Sequence, residues 1–263
     1  VILSPETNNP RFVIKDPALV TVNALPTISG GLSICSSAQT QLTGSGTPAS
    51  INAWSSSNTA TATVSNTGLV TGVLAGTTTI TYINSAGCSV NAVITVNVLP
   101  TISGTTVVCL GAQTQLTGSG TAANNNAWTS SNTANVTVGN TGLVTSVAAG
   151  TSTITYTNAV GCSANAVVTV NALPVITGAL SVCFGAQTQL TGSATAATVN
   201  AWTSSNTATV SVNNLGLVKG IAVGTATITY TNSFGCYQNT TFTVNALPVI
   251  TGVLSVCKGA QIQ

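Results

Sequence analysis

Residues 53–88 read AWSSSNTATATVSNTGLVTGVLAGTTTITYINSAGC, and two further copies of this stretch follow at a fixed distance. Trp54, Trp128 and Trp202 recur every 74 residues, as do Tyr82, Tyr156 and Tyr230, and Cys88, Cys162 and Cys236, with no insertion or deletion between copies. A strict period makes each repeat one structural unit, so function belongs to the array rather than to any single loop. Working outward, the repeats run 24–97, 98–171 and 172–245. Residues 246–263 open a fourth copy. Residues 1–23 match only where ALVTVNALP resembles NAVITVNVLP at 91–100, and are expected to be the end of a divergent upstream domain. With no starting Met and an incomplete fourth copy, the sequence is expected to be a piece of a longer chain.

The second copy shows the local logic. In TSTITYT, Ser152, Ile154 and Tyr156 share one face and the threonines the other. Cys162, Ala164, Ala166, Val168 and Val170 likewise share one face of the closing run, and AQTQLTG at 112–118 alternates around Leu116. NVTVGNTGLVTSV is two short runs separated by Asn140, Thr141 and Gly142, a hairpin signal in which the glycine supplies positive φ. Pro100–Cys109 is expected to be an edge segment broken by Gly104, with Ile102, Val107 and Cys109 turned inward. Period-two alternation, β-branched residues and frequent turn signals predict an all-β protein of small β-sandwiches, and no window has helical period. A lone Trp recurring in a central strand reads as core, which assigns Trp54, Trp128 and Trp202 to the interior.

At the junctions VNALP, VNVLP, VNALP and VNALP only a few residues precede the proline that starts the next unit. Fixed φ and short length leave little room for reorientation, so an extended rod of roughly 30–40 Å per repeat is expected from strand rise.

Composition narrows the function. Charged residues are 2 % of the chain and the net charge is +2; after Asp16 the only charges are Lys219 and Lys258. Lys219 stands where the other copies have Thr71 and Thr145, and reads as a solvated strand-edge residue. No basic stripe exists, which excludes nucleic acid as a partner. Soluble monomers usually carry roughly a quarter to a third charged surface residues, so this surface calls for cover by glycans, self-association or a dense surface layer. Mean hydropathy is positive, yet Thr, Ser, Asn and Gly interrupt every apolar run, so no helical membrane span is expected. Strand runs shorter than about ten residues and 4 % aromatics argue against an outer-membrane barrel.

The repeats contain no His, and no Asp or Glu follows Asp16. General acid–base work, a serine triad and carboxylate metal sites all need those groups, so no catalytic residue, metal or cofactor is expected. The TxT strands occur once per repeat and cannot stack into an ice-binding ladder. Asn135 and Asn239 head Asn-x-Thr triplets at different repeat positions, as chance provides in a chain rich in both residues.

Seven cysteines occupy two repeat positions: 35, 109, 183 and 257, and 88, 162 and 236. With no His and no CxxC, zinc is excluded. Two pairings respect the period. Bonds within each repeat would join Cys35 to Cys88, Cys109 to Cys162 and Cys183 to Cys236, leaving Cys257 unpaired; bonds across each junction would join Cys88 to Cys109, Cys162 to Cys183 and Cys236 to Cys257. The within-repeat set is the expected one. Each cysteine lies on the apolar face of its strand, and closing a small sandwich stabilises it by about 4 kcal/mol in the chain-entropy model. A domain this small buries only about 60 % of its unfolded surface and benefits from such a staple. A pulled repeat would then release at most about 21 residues, on the order of 70 Å. Regular cysteine use implies an oxidising compartment.

The strings WSSSNTATATVSNTGLVTGVLAGTTTITY, WTSSNTANVTVGNTGLVTSVAAGTSTITY and WTSSNTATVSVNNLGLVKGIAVGTATITY resemble the bacterial Ig-like group 2 domain, whose pattern is W-x-S-S-N followed by G-x-V-x-x-x-x-x-G-T-x-x-I-T. The resemblance covers 24–245 and implies tandem Ig-like sandwiches serving as extracellular stalks on the bacterial cell surface, as in intimin- and invasin-type adhesins. The GC after the TITY strand and the NALP junctions are similar to long repeat filaments of bacteria with type IX secretion. The resemblance implies no enzymatic activity. The expected function is a structural stalk or filament segment, adhesin-like, whose partners are neighbouring repeats, further chains in a self-associated filament, and surface glycans. The alternative is a carbohydrate- or partner-binding module acting through exposed aromatics such as Tyr237 or Phe184; an auxiliary region of a secreted enzyme is a third reading.

Overall fold

The computed structural model describes residues 22–252 and 257–258. The expected upstream domain end at 1–23 falls almost wholly outside these residues, and much of the expected fourth-repeat opening at 246–263 does too. The described residues contain strands and turns and no helix.

The first repeat contains nine strands: β1 (Ile28–Ser29), β2 (Ser33–Cys35), β3 (Gln39–Gln41), β4 (Thr43–Gly44), β5 (Trp54–Ser56), β6 (Ala62–Val64), β7 (Leu69–Gly72), β8 (Gly76–Ile83) and β9 (Ser89–Asn97). One sheet has the order β2-β9-β8-β5, a second β3-β7-β6, and β1 pairs with β4. All pairs are antiparallel except β2 on β9, which run parallel with Cys35 opposite Asn97. The same nine strands and pairings recur in the second and third repeats. Two compact units result, Val1–Leu99 with Val160–Cys162, and Pro100–Ala159 with Ser163–Gln263.

Alternation decides which side chains meet between the sheets. In the second repeat Ser152, Ile154 and Tyr156 are buried from one long strand, Val168 and Val170 from the next, and Leu116 and Val144 from the facing sheet. These positions follow the expected phase. The hairpin from Val136–Val138 to Leu143–Ser146 also forms as expected, with Gly142 at φ 85°. A Cβ on Gly142 would overlap the Leu116 carbonyl and press on the Trp128 ring, so the site demands glycine for space as well as for backbone.

One phase differs from expectation. Val108, not Val107, is buried, and Val107 is exposed. Ile102 packs on the core, and Val108, six positions on, shares its inward phase; Val107 has the parity of the half-buried Cys109 and falls on the outer face.

Each core centres on an aromatic pair. Trp128 lies opposite Tyr156 across neighbouring strands with ring centroids 4.6 Å apart, and the pairs Trp54–Tyr82 and Trp202–Tyr230 repeat that distance. The Tyr156 hydroxyl donates to the Gly120 carbonyl at 3.2 Å, which satisfies its polar end. Beside them Ser130 and Ser152 share a hydroxyl contact of 2.8 Å, and the Asn132 N–H donates to Ser152 Oγ at 3.0 Å. In the first two repeats the W-x-S-S-N string thus closes a partly buried polar network on Thr78 or Ser152, whereas the third has Ala226 at that place.

Candidate functional site: cysteines at the two ends of each sandwich

The parallel β2–β9 register fixes where the cysteines lie. In the first repeat Cys35 ends β2 opposite Asn97, the last residue of β9, whereas Cys88 precedes Ser89, the first. Nine residue steps of extended strand separate those ends, on the order of 30 Å. The third repeat repeats this, with Cys183 opposite Asn245 and Cys236 just before Tyr237. A disulfide needs Cα atoms within about 7 Å. The two cysteines of one repeat are therefore at opposite poles of the sandwich and do not reach each other.

The bonds run between repeats instead. Cys35 is joined to Cys162 with Cα atoms 5.7 Å apart, and Cys109 to Cys236 with Cα atoms 5.5 Å apart, both at a sequence separation of 127. This corrects both pairings considered from the sequence: the first cysteine of a repeat bonds the second cysteine of the repeat that follows. Cys88, Cys183 and Cys257 have no disulfide among the described residues. The limit of about 21 releasable residues rested on within-repeat bonds and falls with them.

The turn that carries the second cysteine is built for the purpose. Asn232 accepts the Cys236 N–H on its side-chain oxygen at 3.0 Å and donates its own N–H to the Cys236 carbonyl at 2.9 Å. Gly235 closes the turn at φ 79°, and Asn232 and Cys236 are both buried. Asn84 holds Cys88 in the same way, with a side-chain bond of 2.9 Å. Sequence reasoning passed over these asparagines, although the recurring string Asn-x-x-Gly-Cys at 84–88, 158–162 and 232–236 was there to find.

The other candidates do not gather into a site. Trp54, Trp128 and Trp202 are buried against their tyrosines, so no indole face is presented for stacking. The depression over Trp128 is lined by Leu116, Gly118, Asn140 and Tyr156 and contains no titratable side chain other than the Tyr156 phenol. Phe184 and Tyr237 are exposed but belong to opposite poles, since the Phe184 N–H donates to the Asn245 carbonyl while Tyr237 lies opposite Thr231 at the other end of the same strand. Among the described residues no cluster of His, Cys, Asp or Glu suits a metal ion, and no helix is long and apolar enough to cross a membrane.

These features define a class: tandem all-β sandwiches of about 74 residues, repeated three times and tied by disulfides. The chain belongs to the bacterial Ig-like domain (group 2) family, whose profile matches residues 27–93, 92–170 and 172–240. Among solved structures it is similar to invasin, a bacterial integrin-binding protein, at 17 % identity, with 84 % of this chain and 59 % of that chain covered and a TM-score of 0.38. It is also similar to the C-terminal 282-residue fragment of intimin solved in complex with the translocated intimin receptor, at 20 % identity, 59 % and 67 % coverage, and a TM-score of 0.38. A surface-layer protein covers 85 % of this chain and 54 % of its own at 17 % identity and a TM-score of 0.27. The chain thus spans about three fifths of the invasin chain's length. No curated protein matches. The two disulfides are consistent with an extracellular location.

Proposed function

We propose that this chain is a stalk or filament segment of an extracellular bacterial surface protein, adhesin-like, in which covalent bonds between successive domains supply mechanical strength. The observation that carries this reading is the Cys109–Cys236 bond: a disulfide that joins two domains does nothing for catalysis and transmits load between them. With domains taken as 24–97, 98–171 and 172–245, the pairing of Cys35, Cys109 and Cys183 with the last residues of their closing strands supports bonds made next to the junctions. Short proline-started junctions support a stalk, and the scarcity of charge supports partners in neighbouring repeats, self-association and surface glycans. The repeats lack the acid–base groups that enzymatic work requires.

Single-molecule stretching of the chain with and without reductant tests the role. When oxidised, the shortest covalent route enters at Cys35, crosses to Cys162, returns to Cys109 and crosses to Cys236. The oxidised chain is expected to stop extending at roughly 45 % of the length of the reduced chain, because the stretch from Cys35 to Cys236 shortens to between about a quarter and a third of its own length. Equal extension in both conditions would remove the strengthening role.

A further inference from the structure

The two disulfides overlap in sequence. Cys35–Cys162 spans every peptide bond between those residues, and Cys109–Cys236 spans every one between its own. From Cys35 to Cys236 no peptide bond lies outside both loops, and residues 109–162 are spanned twice. We propose that this interlock makes the array tolerant of backbone cleavage: a single cut anywhere between Cys35 and Cys236 nicks the chain without severing it.

The proposal turns on the junctions. Val98, Leu99 and Leu173 are exposed and lie outside strands, which makes the junctions natural targets for nicking. Bonds closed within each repeat would leave 88–109 and 162–183 outside every loop, so one cut there would release a piece. Bonds between repeats cover both junctions as well as the loops within the repeats. The rule extends beyond these two bonds. A further repeat of this kind after the third would meet Cys183 with its own turn cysteine, and one before the first would end on Cys88, each at the separation of 127 seen here. A surface array built this way survives proteases that would shorten an ordinary chain of domains at its first nick.

The test inserts a recognition sequence for a specific protease between Val98 and Leu99, or in a second variant between Asn124 and Asn125, and compares gels run with and without reductant after complete cleavage. Both variants are expected to migrate as one species without reductant and as two pieces with it. Adding Cys35→Ser to the junction variant removes the only bond across that cut, so the pieces separate without reductant; the same substitution leaves the loop variant joined through Cys109–Cys236. Separation of the junction-cut chain without reductant, with all its cysteines in place, overturns the proposal. So does a junction-cut Cys35→Ser chain that stays joined. The arms with native cysteines stand even if Cys35→Ser folds poorly.

Discussion

The second and third repeats have the same strands, pairings and aromatic pair, yet their Cys109 and Cys183 poles differ. At the second repeat Val108 is buried, Cys109, Leu110 and Ala112 are half-buried, and Leu110 and Ala112 pack on the core. At the third, Val182 is only half-buried, and Cys183, Phe184 and Ala186 are exposed, Phe184 at 49 %. Cys109 is bonded to the turn of the next repeat, and Cys183 has no disulfide among the described residues. The sandwich interior is thus complete within one repeat, while this pole is completed by a neighbour. A small domain gains from this arrangement, because it adds buried surface at the place where its own core runs out.

The largest expected effect comes from erasing the difference. Cys236→Ser removes a bond closing a separation of 127, and a loss of about 4–5 kcal/mol is expected from the chain-entropy model. Urea unfolding followed by tryptophan fluorescence measures it. Cys109 in that variant should be alkylated under native conditions as fast as Cys183; continued protection of Cys109 would show that something other than the neighbouring turn covers the pole.

The next effect probes what the two repeats share. A Cβ on Gly118 or Gly192 would overlap the ring of Tyr156 or Tyr230. Gly118→Ala and Gly192→Ala should each cost about 1–3 kcal/mol by overpacking, and should cost the same. A clear inequality in thermal or urea unfolding would mean that the interiors are not equivalent.

Side chains at the poles should behave unequally. Leu110→Ala removes a half-buried contact and is expected to cost about 1 kcal/mol, whereas Phe184→Ala, at an exposed site, should stay within about 0.5 kcal/mol. Attaching one more repeat after the third should raise the cost of the phenylalanine change towards that of the leucine.

The smallest effect compares the first repeat with the second. Asn97 donates to Ser33 Oγ at 2.8 Å, but Val107 occupies the matching place and leaves the buried Asn171 amide nitrogen without a partner. Val107→Ser should recover up to about 1 kcal/mol. A neutral or destabilising result in urea unfolding would show that the hydroxyl does not reach Asn171.

The sandwich was legible because its evidence is local. Alternation around Ile154, Tyr156 and Leu116 reports which faces are buried, and Gly142 with its neighbours marks a hairpin whatever the rest of the chain does. Strand partnership is not local. Nothing in SIC at 33–35 says that it lies parallel to SVNAVITVN at 89–97, and that pairing alone sends the two cysteines of a repeat to opposite poles. Apolar phase showed that Cys162 faces inward but not at which end of the sandwich, so inward-facing cysteines and the gain from closing a small domain favoured a closure that strand length forbids. Val107 was misplaced because it was put in phase with Cys109, whereas the buried face follows Ile102 to Val108.

The bond pattern itself is the most direct thing to measure. Digestion of the unreduced chain with pepsin at acidic pH, where thiol exchange is slow, followed by mass spectrometry should yield peptides in which Cys35 is joined to Cys162 and Cys109 to Cys236. Peptides joining Cys35 to Cys88 and Cys109 to Cys162 would contradict the account.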